Sequence, residues 1–208
     1  MQKNDINTII FDLGGVLVDW NPKYLFDENY FENEAKRNYF FDHICTPDWN
    51  EEQDAGRSIV DATQLLVAQH PEWEGPIRDF YGRWVEMLGG PILDTVDIFK
   101  SIKNTGKYRT YALTNWQAGL FDIALCRYDF LHWFDGRVVS GVEQTRKPFP
   151  EFYKILLERY VVHPQEAIFI DDNMRNVQAA LELGIDSIHF QSPQQLSLAL
   201  QERNVLID

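Results

Sequence analysis

The residues with the clearest chemical potential occupy four places in the sequence, each at or just beyond the end of a short apolar run. They are Asp12; Thr114 with Asn115; Lys147; and Asp171 with Asp172. A carboxylate that attacks a phosphate dianion meets charge repulsion, which a divalent cation held by neighbouring carboxylates offsets. A lysine adds positive charge, and a hydroxyl and backbone amides hold the phosphoryl oxygens. This set of side chains is therefore typical of phosphoryl transfer.

Each carboxylate is assigned the role that this chemistry requires. Asp12 is predicted to be the nucleophile and a Mg²⁺ ligand, and its attack produces an aspartyl-phosphate that water then opens. Asp172 is predicted to be the second principal ligand. Asp171 is predicted to bind the metal either directly or through water.

The remaining polar residues are predicted to handle the phosphate. The Thr114 hydroxyl and the Asn115 amide bind phosphoryl oxygens, and Lys147 neutralises charge. Trp116, the next residue along the chain, either lines the substrate pocket or packs in the core. Each motif alone also has a plain structural explanation, since Asp12 before two glycines is a common turn signal. A shared site is favoured only because all four groups of residues are expected to meet at the same edge of the predicted sheet.

The elements that must position these residues are five short apolar runs predicted as β-strands. They cover residues 8–11, 109–114, 137–140, 167–170 and 187–190. Their β-branched, non-alternating composition suits strands buried on both faces of a parallel sheet. Helical patterns fill the gaps between them, so the predicted fold class is α/β with a doubly wound parallel sheet. Ligands bind such sheets at the carboxyl ends of the strands, where all four groups lie.

One stretch interrupts this alternation. No convincing strand appears between the first strand and about residue 90, and residues 21–87 are rich in aromatic and charged side chains. We therefore predict a helical cap over residues 19–87, inserted into a core made of residues 1–18 and 88–208.

Composition narrows the range of partners and compartments. A net charge of −13 repels nucleic acid and anionic lipid surfaces, so neither is an expected partner. The sequence has no long apolar run typical of a membrane span or an export signal, which predicts a cytoplasmic protein. We expect a monomer or a homodimer that acts on a small phosphorylated metabolite.

The same residues resemble the four motifs of the haloacid dehalogenase superfamily. IIFDLGGVLVDW resembles motif I, ALTNW motif II, RKPFPEFY motif III and IFIDDNMRNVQAA motif IV. Their order and separations are similar to those of members with a helical cap after motif I. The combination of DLGGV with DDNxxN is similar to the subgroup of sugar-phosphate phosphatases that includes glucose-1-phosphatase-like proteins.

The resemblance implies a Rossmann-like core, a mobile cap that selects the substrate, and Mg²⁺ bound by Asp12, the main-chain carbonyl of Gly14 and the acid of motif IV. The segment DWNEEQDAGRS, residues 48–58, resembles a cap specificity region. In it, Arg57 either contacts the substrate or forms a surface ion pair.

One departure from the family pattern leaves alternatives open. Phosphatases of this family commonly carry a second aspartate two residues after the nucleophile, and this chain has Gly14 there. Asp19 or a cap residue could replace that acid and base. Haloacid dehalogenases also lack the second aspartate, so metal-independent dehalogenation of a 2-haloacid is one alternative, although the Asp171-Asp172 pair favours phosphate. A catalytically weak binding module of the same fold is another.

Overall fold

The computed structural model describes residues 5–205. Its strands are β1 Thr8–Phe11, β2 Val18–Trp20, β3 Leu88–Pro91, β4 Arg109–Thr114, β5 Gly136–Val139, β6 Ala167–Asp171 and β7 Asp186–His189. Its helices are α1 Glu34–Tyr39, α2 Pro47–Asp54, α3 Ile59–Gln69, α4 Glu74–Gly82, α5 Leu93–Asn104, α6 Ala118–Arg127, α7 Ser140–Glu143, α8 Pro150–Arg159, α9 Met174–Glu182 and α10 Pro193–Glu202. Short 3-10 turns and one π turn, Phe40–Ile44, connect them.

The five core strands form one parallel sheet in the order β5-β4-β1-β6-β7. Successive residues of β1 bury on opposite faces, with Ile9 and Phe11 in one apolar cluster and Ile10 in the other. The cluster around Ile10 includes Phe152 and Ala180 from α8 and α9. The other contains Phe99 and Leu196 from α5 and α10. Both faces of the sheet are therefore covered by helices, and the predicted α/β doubly wound fold is confirmed.

The predicted core strands agree with the structure to within one or two residues. Buried apolar runs carry this information locally, because a strand covered on both faces needs no alternation of polar residues. The final helix also begins where its cap predicts, with the Ser192 side chain accepting a hydrogen bond from the Gln195 amide at 3.2 Å.

The prediction that no strand lies between β1 and residue 90 was wrong. Strand β2 follows β1 closely and pairs antiparallel with β3, with Val18 opposite Pro91. Strand β2 has only three residues, with an aspartate in the middle, and β3 contains two glycines. Neither strand therefore has an apolar pattern that sequence analysis could detect. The close packing requires glycine in β3, because a Cβ at Gly89 would lie 2.2 Å from Asp19 Oδ2.

The paired strands β2 and β3 mark where residues 21–87 leave the sheet and return to it. This segment contains α1 to α4 and an aromatic core in which Phe26, Phe40 and Phe80 are buried. We propose that residues 19–87 are the cap, and residues 1–18 and 88–208 the core. The outermost positions of that predicted core, 1–4 and 206–208, lie outside the described residues. None of the helices within residues 5–205 has both the length and the apolar character that a membrane span needs.

Helix α2 joins the helical segment to the sheet through an ionic contact centred on Glu51. Its carboxylate lies 3.1 Å from Arg146 Nη1 and 3.0 Å from Arg175 Nη2. Arg146 directly precedes Lys147, and Arg175 follows Asp172 in the first turn of α9. The single carboxylate therefore connects α2 to two of the loops that carry predicted site residues.

The neutral substitution Glu51→Gln should loosen α2 while leaving the rest of the fold intact. A partly exposed ionic network of this kind contributes on the order of 1 kcal/mol, which corresponds to about fivefold faster local opening. The measurement is amide hydrogen exchange of α2 at low salt. Glu72→Gln is the matched control, because Glu72 is exposed and shows no ion pair within residues 5–205. Equal exchange of α2 in the two variants would contradict the assigned role of Glu51.

Candidate active site

The predicted carboxylates meet at the carboxyl edge of the sheet. Strand order places β1 between β4 and β6, so Asp12 is adjacent to the ends of both neighbours. The Asp12 main-chain amide donates to the Ile170 carbonyl at 2.8 Å, which continues the pairing of β1 with β6 past the last strand residue. Carboxylate oxygens of Asp12, Asp171 and Asp172 lie within 4.8 Å of one another.

Lys147 lies at the centre of this group. Its side chain is 0% exposed, and Nζ is 2.8 Å from Asp12 Oδ2 and 2.7 Å from Asp171 Oδ2. Asn115 fixes its backbone, because Asn115 Nδ2 donates to the Lys147 carbonyl at 3.0 Å and Asn115 Oδ1 accepts from the Lys147 amide at 2.9 Å. The Asn115 side chain therefore positions the lysine, a role that the sequence did not reveal. A phosphate contact of Asn115 stays a prediction for its main-chain amide.

Asp171 is fully buried and hydrogen-bonded on both oxygens. Besides Lys147, it accepts from the Asn173 amide at 2.8 Å and from Asn176 Nδ2 at 3.1 Å. Asn176 was not predicted as a site residue, although the pattern DDNxxN places it one helical turn beyond Asn173. The contacts show that Asp171 is held in place by its neighbours, whereas Asp172 is exposed and lines a cavity.

The turn after β1 is shaped by its two glycines. Gly15 has φ of +74°, which favours glycine, and a Cβ there would lie 2.3 Å from Asp172 Oδ2. Gly14 lines the cavity beside Asp12, and a Cβ at this position would meet no atom within 4 Å. The space next to the predicted nucleophile would therefore accept a longer side chain, and the absence of an acid at position 14 has no steric cause.

Burial and neighbouring charges shift the pKa values of Asp12, Asp172 and Lys147. Burial raises the pKa of Asp12 to about 8; Lys147 opposes this shift, and Asp171 and Asp172 add to it. Burial and the Asp171 charge raise the pKa of Asp172. Burial lowers the pKa of Lys147, but the charges of Asp12 and Asp171 more than compensate, so that pKa is raised. The lysine is therefore held as a cation, and the ionised forms of Asp12 and Asp172 are disfavoured while no further positive charge is present.

Thr114 and Trp116 lie at the end of β4, on either side of Asn115. Thr114 is buried, and its Oγ1 has no hydrogen-bond partner among residues 5–205. Trp116 combines both predicted roles, since it lines the cavity and packs edge-on against Trp84 with ring centroids 5.8 Å apart.

A cavity of about 440 Å³ opens above the carboxylates, between the sheet edge and the helical segment. Asp12, Gly14 and Asp172 border it on the sheet side, and α2 contributes Glu51 and Asp54. The predicted site residues Thr114, Lys147 and Asp171 are buried beside the cavity and do not line it.

Two other sequence candidates lie away from the cavity. Arg57 donates to Gln53 Oε1 at 2.5 Å and does not line the cavity. Asp19 accepts from the Tyr24 hydroxyl at 2.6 Å and is likewise absent from the cavity wall.

Asp54, at the end of α2, does line the cavity. Burial raises the Asp54 pKa to about 7, against the lowering effect of a hydrogen bond from the Gln117 amide.

The donor set fits a divalent cation. Three carboxylate groups face one ammonium group, so one positive charge leaves their negative charge only partly balanced. Carboxylate oxygens are hard ligands of the kind that Mg²⁺ prefers. Burial first, and then repulsion between the acids, raise the pKa values of Asp12 and Asp172, and a bound cation would offset that repulsion. The described residues can therefore hold Mg²⁺ at the edge of the cavity.

Comparison with known proteins agrees with this geometry. The chain is 29% identical over 187 residues to the sesquiterpene phosphatase AstK of Aspergillus oryzae, which covers 86% of this chain and 87% of the relative. It is 35% identical over 210 residues to the phosphorylated carbohydrates phosphatase of Thermotoga maritima, covering 88% of this chain and 84% of the relative.

Among solved structures, the magnesium complex of a haloacid dehalogenase family enzyme from Bacteroides thetaiotaomicron has the same fold. Its TM-score is 0.68 at 23% identity, covering 91% of this chain and 95% of that one. The sequence model of haloacid dehalogenase-like hydrolases matches residues 6–184, which include all the candidate site residues. The chain therefore belongs to the haloacid dehalogenase-like hydrolase family.

Proposed function

We propose that this protein is a Mg²⁺-dependent phosphatase that hydrolyses a small phosphomonoester through an aspartyl-phosphate on Asp12. The observation that carries the proposal is the position of the Asp12 carboxylate, at the edge of the cavity and within 4.8 Å of two further carboxylates, with Lys147 Nζ 2.8 Å away. Both relatives compared above are phosphatases by name, one of sesquiterpenes and one of phosphorylated carbohydrates, which supports the same reaction class.

In the proposed reaction, an Asp12 oxygen attacks phosphorus and the bond from phosphorus to the alcohol oxygen breaks. The alcohol oxygen takes a proton from solvent as it leaves. A water molecule then attacks phosphorus and gives up a proton to solvent, and cleavage of the bond from phosphorus to the Asp12 oxygen releases phosphate and restores the carboxylate. Lys147 holds Asp12 in place, and the Thr114 hydroxyl and the Asn115 amide bind phosphoryl oxygens.

Asp12, the Gly14 carbonyl and Asp172 would hold the Mg²⁺ ion, with Asp171 as a direct or water-mediated ligand. When bound, the ion offsets the negative charge of the carboxylates and polarises the phosphoryl oxygens. Asp171 already accepts hydrogen bonds from Lys147 and Asn176, which supports the water-mediated arrangement. The sequence analysis suggested a sugar phosphate as the phosphomonoester, and no observation on the described residues tests that choice.

Replacing the proposed nucleophile by its amide should abolish turnover. Asp12→Asn keeps the size of the side chain but removes the anionic oxygen, so phosphate release from p-nitrophenyl phosphate should fall by at least about a thousandfold. Asp122→Asn, on the exposed side of α6, is the matched control and should retain wild-type activity. Full activity in the Asp12→Asn protein would refute the mechanism.

Removing divalent ions should suppress the activity reversibly. EDTA should reduce phosphate release to background, and excess Mg²⁺ should restore it. Because the ion binds the folded state, Mg²⁺ should also raise the Tm of the wild-type protein by a few degrees. Asp172→Asn should lose most of that shift, which calorimetry measures without any assay of turnover. EDTA-resistant phosphatase activity would contradict the proposal.

The dehalogenase alternative makes the opposite prediction for the metal. If it were correct, the protein would release chloride from 2-chloropropionate in the presence of EDTA. We expect no chloride release, because Asp12, Asp171 and Asp172 together form a candidate cation site that halide displacement does not need. An ion-selective electrode follows the reaction directly.

The binding-module alternative is tested by trapping the phosphorylated state. Beryllium fluoride with Mg²⁺ should form a stable aspartyl-phosphate mimic on Asp12, visible as a fluorine resonance that Asp12→Asn lacks. Failure of the wild-type protein to form the adduct, together with absence of turnover, would favour a binding module.

A further inference from the structure

The walls of the cavity above the carboxylates are mainly aromatic and aliphatic. Six apolar side chains face the space where the alcohol part of a phosphomonoester would lie: Trp20, Phe41, Phe80, Trp84, Trp116 and Leu120. They come from both the helical segment and the core, so both parts of the chain contribute to the wall of the cavity. An apolar ligand group would gain free energy by leaving water for this space.

Two polar side chains of the same wall, Asn50 and Thr46, are already bonded within the protein, whereas the indole Nε1 atoms of Trp20 and Trp116 have no hydrogen-bond partner among residues 5–205. Asn50 Oδ1 accepts from the Tyr81 hydroxyl at 2.9 Å, and Asn50 Nδ2 donates to Asp54 Oδ2 at 3.1 Å. Thr46 Oγ1 accepts from the Trp49 amide at 3.1 Å. The two indole N–H groups can each donate to a ligand oxygen, but a ligand with many hydroxyl groups would have to break the bonds of Asn50 and Thr46 or leave most of its own hydroxyls unpaired, and both cost free energy.

The charges around the cavity disfavour a second anion on the ligand. Within residues 5–205, no lysine or arginine side chain lines the cavity, whereas Glu51 and Asp54 do. The nearby cations are occupied, since Arg146 and Arg175 pair with Glu51. A second phosphate or a carboxylate on the substrate would meet carboxylates instead of a cation.

From these three features we propose that the preferred substrate is a monophosphate of an uncharged alcohol with a largely apolar body. This inference rests on the proposed phosphatase function and adds the substrate class to it. The apolar body would pack between the aromatic walls while its single phosphate reaches Asp12 at the sheet edge.

The test compares three esters of primary alcohols with equal carbon number, so that the leaving groups have similar basicity. They are n-hexyl phosphate, glucose 6-phosphate and hexane-1,6-diol bisphosphate, each assayed by phosphate release with Mg²⁺. We expect kcat/KM for hexyl phosphate to exceed that for glucose 6-phosphate by at least about tenfold, with the bisphosphate slowest. Equal or faster hydrolysis of glucose 6-phosphate would overturn the inference.

A pair of variants on helix α6 ties the preference to the cavity wall. Leu120 lines the cavity, whereas Leu125, on the same helix and equally half-buried, does not. Leu120→Gln should lower kcat/KM for hexyl phosphate by about fivefold and leave glucose 6-phosphate within about twofold. Leu125→Gln should leave the ratio between the two substrates unchanged. The same ratio in both variants would refute the role of the wall.

The outcomes separate this inference from the proposed function. Hydrolysis of p-nitrophenyl phosphate with a preference for glucose 6-phosphate would refute the apolar substrate class and leave the phosphatase function standing. No Mg²⁺-dependent phosphate release from any of the esters, p-nitrophenyl phosphate included, would refute the proposed function and the inference with it.

Discussion

The burial of one lysine between two aspartates is the constraint on which the site depends. Lys147 is completely enclosed, and its ammonium group has Asp12 and Asp171 as ion-pair partners at under 3 Å. A buried cation without partners would be strongly destabilising, and so would either carboxylate without the lysine. The three groups must therefore be brought together by the fold, and the strand order that places β1 between β4 and β6 does this.

Neutral side chains surround the charged group and fix its geometry. Asn115 holds the backbone of Lys147 through two hydrogen bonds, and Asn176 holds both oxygens of Asp171. Such contacts leave the inner acid little freedom to rotate, while Asp172 faces the cavity and is exposed. Lys147 and Asp171 are therefore held rigidly, while Asp172 remains within reach of a ligand. A metal-assisted site needs both: supporting residues that are fixed in place and a ligand residue that is accessible.

The helical segment contributes to the same charge balance from the other side of the cavity. Glu51 pairs with Arg146 and Arg175, the arginines that flank the loops of Lys147 and Asp172. Both arginines are therefore paired with Glu51, and neither lines the cavity, whose walls are largely aromatic. The contact of α2 with the sheet therefore joins the helical segment to the loops that carry Lys147 and Asp172.

Much of the architecture followed from local sequence pattern. The apolar runs identified all five strands of the parallel sheet, and the rule that ligands bind at strand carboxyl ends brought together Asp12, Thr114, Lys147 and Asp171-Asp172. This worked because doubly buried strands are recognisable over four to six residues and their connections have one favoured hand.

Tertiary structure decided the features that depend on residues distant in sequence. The pairing of β2 with β3 has no apolar signature, because its stability comes from hydrogen bonds between segments about 70 residues apart. The contacts of Asn115 with Lys147, and of Glu51 with two arginines, join side chains whose types alone do not specify a partner. The sequence by itself determined which residues could do the chemistry; only the folded chain decided which of them face the cavity, because burial and partner choice are properties of the packed structure.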